Sequence, residues 1–216
     1  RSKLMNLNIY FLRHGQTASS RGNLFCGSID PGLTTDGEEM AAVFATAYAN
    51  TPWEAIYCSP KERPILTAEP LAHKLNMELQ LRDGLQEINY GAWEGKDVAT
   101  VDREYHDDYL RWLADPGWNP PTDGESAMTI ATRAIAVLEE ISQKHTTGNV
   151  LVVSHKATIR ILLCSLLGID AGRFRYRLGM PVGSVSIVEF GQYGPLLKVL
   201  ADRSHLTDRL RALPGT

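Results

Sequence analysis

Near the start of the chain stands Leu12-Arg13-His14-Gly15-Gln16-Thr17. A neutral imidazole is a nucleophile, a guanidinium offers planar donors to an oxyanion, and a glycine lets the backbone approach a ligand closely. Read alone, the same residues are a strand end with a hydrogen-bonded histidine. A second segment, Ser59-Pro60-Lys61-Glu62-Arg63-Pro64, is followed by Thr67-Ala68. Its prolines fit the entry and first turn of a helix, where a missing N–H costs little. Arg63 would then project near a helix N-terminus, a favourable place for an anion, or pair with Glu62 as a surface arginine. A third segment, Val153-Ser154-His155-Lys156-Ala157-Thr158-Ile159-Arg160, again runs from a strand into a helix N-terminus. A fourth, Glu87-Ile88-Asn89-Tyr90-Gly91-Ala92-Trp93-Glu94-Gly95, reads as a glycine- and aromatic-rich loop. A carboxylate there can donate a proton or cap the next helix.

The elements that must position these groups follow from hydrophobic periodicity. Strands are expected at 7–12, 55–58, 77–81, 150–153, 184–190 and 196–202, and helices at 35–49, 63–75, 96–114, 126–144 and 158–167. The uninterrupted apolar run Val150-Leu151-Val152-Val153 suits a strand covered on both faces. Alternating strands and helices predict an α/β fold, a three-layer sandwich with a mainly parallel central sheet flanked by helices. Arg13, His14, Ser59, Ser154 and His155 each follow a strand, so they should meet at the carboxyl edge of the sheet, where open α/β sheets bind ligands.

Composition narrows the partners. A length of 216 residues fits one domain, expected over 5–216, with residues 1–4 read as a cloning remnant. The 22 basic and 25 acidic side chains leave a net charge of −3, which gives no bulk attraction to nucleic acid or membrane. Anion affinity must then come from a local cluster. Cys26, Cys58 and Cys164 are widely spaced and odd in number, as expected of reduced thiols in a cytoplasmic protein. No apolar run approaches the ~18 residues of a membrane span.

Neither a G-x-x-x-x-G-K-[ST] loop nor a G-x-G-x-x-G fingerprint is present, so no cofactor is expected. His73, His106, His145 and His205 lack metal-ligand spacing and are expected at the surface, with no metal site. Arg173, Arg175 and Arg177 read as a solvated basic face in preference to part of an acidic-substrate site. Trp112 and Trp118 could wall a pocket or pack in the core.

The four segments, in this order, resemble the histidine phosphatase superfamily, the phosphoglycerate mutase-like family, over nearly the whole chain. Arg13-His14-Gly15 matches its nucleophile motif, and Ser59-Pro60 with Arg63 and Thr67-Ala68 its second. Glu87 with Gly91, Trp93, Glu94 and Gly95 matches the acid-bearing loop, and Ser154-His155 with Ile159-Arg160 the last motif. The resemblance implies that His14 is the nucleophile, that Arg13, Arg63 and His155 surround the phosphoryl group, and that Glu87 is the general acid and later the base. It also implies a phosphoric monoester hydrolase of the histidine acid phosphatase type.

The chain departs from the family pattern at four positions. Ser20 stands where an Asn phosphate contact is usual, Cys26-Gly27 where Gln-Gly is usual, Lys156 for a Gly, and Pro64 for an Ala. Ser20, Gly27 and Lys156 are carried over as substrate-binding residues. Lys156 either lies at the pocket mouth, favouring substrates with a second negative group, or pairs with a protein carboxylate such as Glu94 or Asp123. The compact 95–126 segment resembles the phosphatase type. The expected activity is therefore metal-independent hydrolysis of a small phosphorylated metabolite through a phosphohistidine. The alternatives are a 2,3-bisphosphoglycerate-dependent mutase and a non-catalytic phosphometabolite-binding protein. A homodimer is compatible with either enzyme.

Overall fold

The computed structural model describes residues 6–215; the segment read as a cloning remnant lies outside them. Six strands, β1 (Leu7–Arg13), β2 (Trp53–Cys58), β3 (Leu79–Leu81), β4 (Gly148–Ser154), β5 (Val185–Gly191) and β6 (Gly194–Asp202), form one sheet in the order β3-β2-β4-β1-β5-β6. The β3, β2, β4 and β1 strands run parallel, while β5 and β6 add an antiparallel margin. The helices are α1 (Ala18–Arg21), α2 (Thr35–Tyr48), α3 (Glu62–Leu75), α4 (Val98–Glu104), α5 (His106–Ala114), α6 (Ala127–Lys144), α7 (Lys156–Leu167), α8 (Phe174–Arg177) and α9 (Asp208–Arg211). The fold is the expected α/β arrangement of a mostly parallel sheet flanked by helices.

Strand alternation explains how one apolar run serves two layers. Val150 and Val152 face the core built with Ile130, Ala134 and Leu138 of α6 and Ile159 and Leu162 of α7. Leu151 and Val153 face the opposite core, with Phe44 of α2 and Ala68 and Leu71 of α3. All four valine and leucine side chains of this run are fully buried, each worth about 1.5–3 kcal/mol. β4 therefore sits centrally, paired with β1 on one side and β2 on the other.

The segment 96–114 is two helices rather than one. Tyr105 leaves helical geometry with φ −132 and ψ 39, ending α4 and opening α5. In one straight helix Val101 and Trp112 would lie about 16 Å apart at 1.5 Å per residue. The break lets both join Phe25 and Trp93 in a single aromatic cluster. His205 also differs from expectation. Its ring nitrogens are buried without hydrogen-bond partners, and the ring packs edge-on to Phe44 and Tyr48. Among the described residues no helix is long and apolar enough to cross a membrane.

Candidate active site

The carboxyl ends of β1, β2 and β4 are stitched together beyond their last paired residues. The His14 amide donates to the Ser154 carbonyl and the Ser59 amide to the Val153 carbonyl, both backbone bonds between neighbouring strands. These bonds bring His14, Ser59 and His155 to one edge. Gly15 then passes so close to Gly37 of α2 that a Cβ on Gly15 would lie 2.6 Å from the Gly37 carbonyl oxygen. The glycine here permits close backbone packing, and its amide donates to Thr67 Oγ1 at 3.0 Å, linking the first and second motifs.

His14 is buried, and its Nδ1 donates to the Gly15 carbonyl at 2.8 Å. That bond fixes the tautomer and leaves Nε2 as the unprotonated nitrogen. Burial first, then the nearby Arg63 and Arg13 charges, hold the imidazole well below its ordinary pKa, while the Gly15 bond opposes them. The ring is therefore neutral near pH 7, the state a nucleophile needs. The His155 ring stands edge-on to it, with centroids 5.3 Å apart. His155 Nε2 lies 2.8 Å from Ser59 Oγ, and Ser59 Oγ also accepts from the Lys61 amide. A hydroxyl so engaged is free to donate to Nε2, which places the proton on Nδ1. That atom is buried and has no hydrogen-bond partner within the protein. Burial, then Arg63, His14 and Arg13, keep His155 neutral as well.

Both arginines are held from behind. Arg13 donates through one terminal nitrogen to the Met180 carbonyl at 2.6 Å. Arg63, only 1% exposed, donates to the carbonyls of Ile29 and Gly27 and meets Asp30 at 3.3 Å. Asp30 also accepts the Glu62 amide, capping α3, whose N-cap residue Lys61 makes no side-chain cap.

Glu87 plays the same part for α7. Its carboxylate accepts the amides of Ala157 and Thr158 and the Thr158 hydroxyl, as well as its neighbour Ile88's amide. A carboxylate at a helix N-terminus satisfies orphan N–H groups and complements the helix dipole. The loop carrying Glu87 is pinned by Arg133 of α6, which donates to the carbonyls of Gly84, Gln86 and Glu87 and pairs with Glu125. Nothing in the sequence around Arg133 marks it for this part, because only the α6 packing shows where it points.

A cavity of about 170 Å³ lies over His14, lined by Arg13, Arg63, Glu87, Ser20 and Lys156 among others. The structure thus brings Arg13, His14, Arg63 and Glu87 to one cavity, with His155 fully buried against the His14 ring and outside the lining. Two substrate-binding expectations change. Ser20 lines the cavity, but its hydroxyl donates to the Thr17 carbonyl and accepts the Thr17 amide, forming a capping box on α1. Asn23, in a left-handed conformation with φ 53, lines the same wall; no spacing rule pointed to it. Gly27 does not line the cavity. Its amide donates to Glu94, its carbonyl accepts Arg63, and a Cβ there would fall 1.7 Å from the Ile88 carbonyl oxygen. Gly27 positions Arg63 and leaves no group for a substrate.

Glu94 is fully engaged with the amides of Gly27, Ser28 and Tyr90 and organises this loop. Trp112 is buried and lines the cavity, combining both expectations, whereas Trp118 is 72% exposed and does neither. Arg175 reaches the cavity wall, its guanidinium carbon 3.9 Å from the centre of the Trp112 ring, while Arg173 and Arg177 remain at the surface. Cys26 also lines the cavity, and burial pushes its thiol pKa up, Arg63 opposing. It stays protonated and unreactive.

Fold and site together define an α/β protein with a buried, neutral imidazole set among cations at the carboxyl edge of its sheet. The chain belongs to the histidine phosphatase superfamily (branch 1), whose family model matches residues 9–203. It is 30% identical over 200 residues to phosphoserine phosphatase 1 of Hydrogenobacter thermophilus, covering 93% of this chain and 94% of that protein. It is 26% identical over 199 residues to the adenosylcobalamin/alpha-ribazole phosphatase of Escherichia coli, covering 92% of this chain and 97% of that protein. Among solved structures, Bacillus stearothermophilus YhfR superposes with a TM-score of 0.86 at 25% identity, covering 92% of this chain and 98% of that one.

Proposed function

We propose that this protein hydrolyses small phosphate monoesters through a phosphohistidine on His14, with no metal ion or organic cofactor. The observation that carries the reading is the His14 ring itself, fixed through Nδ1 at 2.8 Å from Gly15 and kept neutral by burial among arginines. Its free Nε2 attacks phosphorus as the ester P–O bond breaks. Arg13, Arg63 and the His155 Nδ1–H stabilise the charge that spreads over the equatorial oxygens, the help a metal would otherwise give. Glu87, on the wall of the same cavity, protonates the leaving alkoxide. It then takes a proton from the water that attacks the phosphohistidine, returning His14 and releasing inorganic phosphate. Relatives that bear the names of phosphatases over more than nine-tenths of their length support hydrolysis in preference to mutase chemistry.

The test is a rapid quench after mixing enzyme with a phosphate monoester in the presence of EDTA. Acid-labile, base-stable phosphate is expected on the wild-type protein and none on His14→Ala, with inorganic phosphate as the main product. Near-full turnover by His14→Ala would overturn the reading.

A further inference from the structure

The phosphoryl group is provided for by Arg13, Arg63 and His155, yet the cavity wall carries three more cations. Lys156, Arg160 and Arg175 line it on the side formed by α7 and α8. The same three line a second, more open cavity of about 550 Å³, to which Arg177 and Arg203 also contribute and whose lining holds no carboxylate. This concentration of positive charge occurs in a chain whose net charge is −3, so it is not a by-product of composition.

At Arg160 and Arg175 no ion pair accounts for it. Among the described residues no carboxylate lies within ion-pair distance of Arg160 or Arg175. Arg160 is nearly buried; it donates to the Arg175 carbonyl at 3.1 Å, and its Nε is buried with no partner. Arg175 lies over the Trp112 ring and donates to the Tyr176 hydroxyl. Like charges held together in a half-buried wall repel unless an anion joins them. Burial first, and the Arg13 and Arg160 charges after it, pull the Lys156 ammonium down to about 7, with Glu87 opposing, so like-charge repulsion adds to the cost of burial there. An arriving oxyanion would relieve it, and guanidinium forks are shaped to take one.

We propose that Lys156, Arg160 and Arg175 form a second anion site, which selects phosphate monoesters bearing a further carboxylate or phosphate on the leaving-group side. This rests on His14 as the phosphoryl acceptor, with Glu87 and the three cations lining the same cavity. The two open cavities meeting at these residues give such a substrate room to extend outward.

The test compares matched esters that differ in the second group. For a carboxylate the pair is 3-phosphoglycerate and glycerol 3-phosphate; for a phosphate it is fructose 1,6-bisphosphate and fructose 6-phosphate. The doubly anionic member of at least one pair should have kcat/KM higher by about 10- to 100-fold, the range of one charge-assisted hydrogen bond. The pair with the larger ratio identifies the second group. Lys156→Met and Arg175→Gln, both at partly exposed positions, should each bring that ratio toward unity. A wild-type enzyme indifferent within both pairs, or a ratio unchanged in both variants, would overturn the proposal. Calorimetric titration of His14→Ala with the same four ligands reads the site without turnover. Equal affinity within both pairs would also overturn it. Failure of the wild type to release phosphate from any ester would sink the hydrolase reading alone and leave the binding result to decide this one.

Discussion

Glu87 joins the chemistry to the fold, and Glu87→Gln separates the two contributions. In the structure one carboxylate oxygen accepts the amides of Ile88 and Thr158 and the Thr158 hydroxyl, while the other accepts the Ala157 amide at 3.0 Å. Glutamine can keep its carbonyl on the crowded side only by turning its NH₂ toward the Ala157 N–H; the reverse orientation opposes more donors. An N–H left facing a donor in a nearly buried position costs about 1–3 kcal/mol. Loss of the anion at the start of α7 adds about 0.3–1 kcal/mol. For a chain of this length each kcal/mol lowers Tm by about 2–4 °C, so the variant should melt roughly 3–15 °C lower. The chemical effect is of a different kind. Phosphorylation of His14 by an alkyl phosphate should slow by about 10²–10⁴-fold, because the alkoxide must leave with a proton, and much less with an aryl phosphate. Thermal melts and single-turnover quench measurements at a temperature where the variant is folded give both numbers. An unchanged Tm would refute the capping role. Equal slowing with both leaving groups would refute proton donation, even if the Tm falls as expected.

Acidification should destabilise the protein through the buried His14 and His155 and the half-buried His205. His14, His155 and His205 all have folded pKa values below 6.5, mainly through burial. The unfolded chain therefore binds more protons below that pH. Stability is complete above about 6.5 and is lost as the pH falls toward the folded values, at up to about 1.4 kcal/mol per pH unit for each group. Urea melts between pH 7.5 and 5, above the range where carboxylates dominate, should show it; constant or rising stability on acidification would contradict the assignment. Gly27→Ala should cost about 3 kcal/mol or more through overpacking, since the new Cβ meets the Ile88 carbonyl and displaces the backbone that holds Arg63. Wild-type melting and kcat/KM in that variant would show that the loop yields freely.

Much of this protein is determined by local sequence. The alternation of Val150 to Val153 demands a strand with two apolar faces, and the turn from each such strand into a helix delivers Arg13, His14, Ser59 and His155 to a common edge. Periodicity and turn chemistry act over a few residues, so these features could be read without the fold. The tertiary structure decided what depends on pairing across long stretches of chain. Nothing near Glu87 in sequence says that it caps a helix 70 residues away, nor that Arg133 pins its loop. The reading of 96–114 as one helix failed because an aromatic cluster, not periodicity, sets the bend at Tyr105. For Gly27, motif order gives proximity to substrate but not the direction in which an amide points; the packing against Ile88 and Glu94 sets that direction. The alternation of Arg173, Arg175 and Arg177 in an apolar-poor segment reads as a solvated basic face, and Arg173 and Arg177 are indeed exposed. Only the approach of α5 supplies the Trp112 ring that turns the Arg175 guanidinium into the cavity wall.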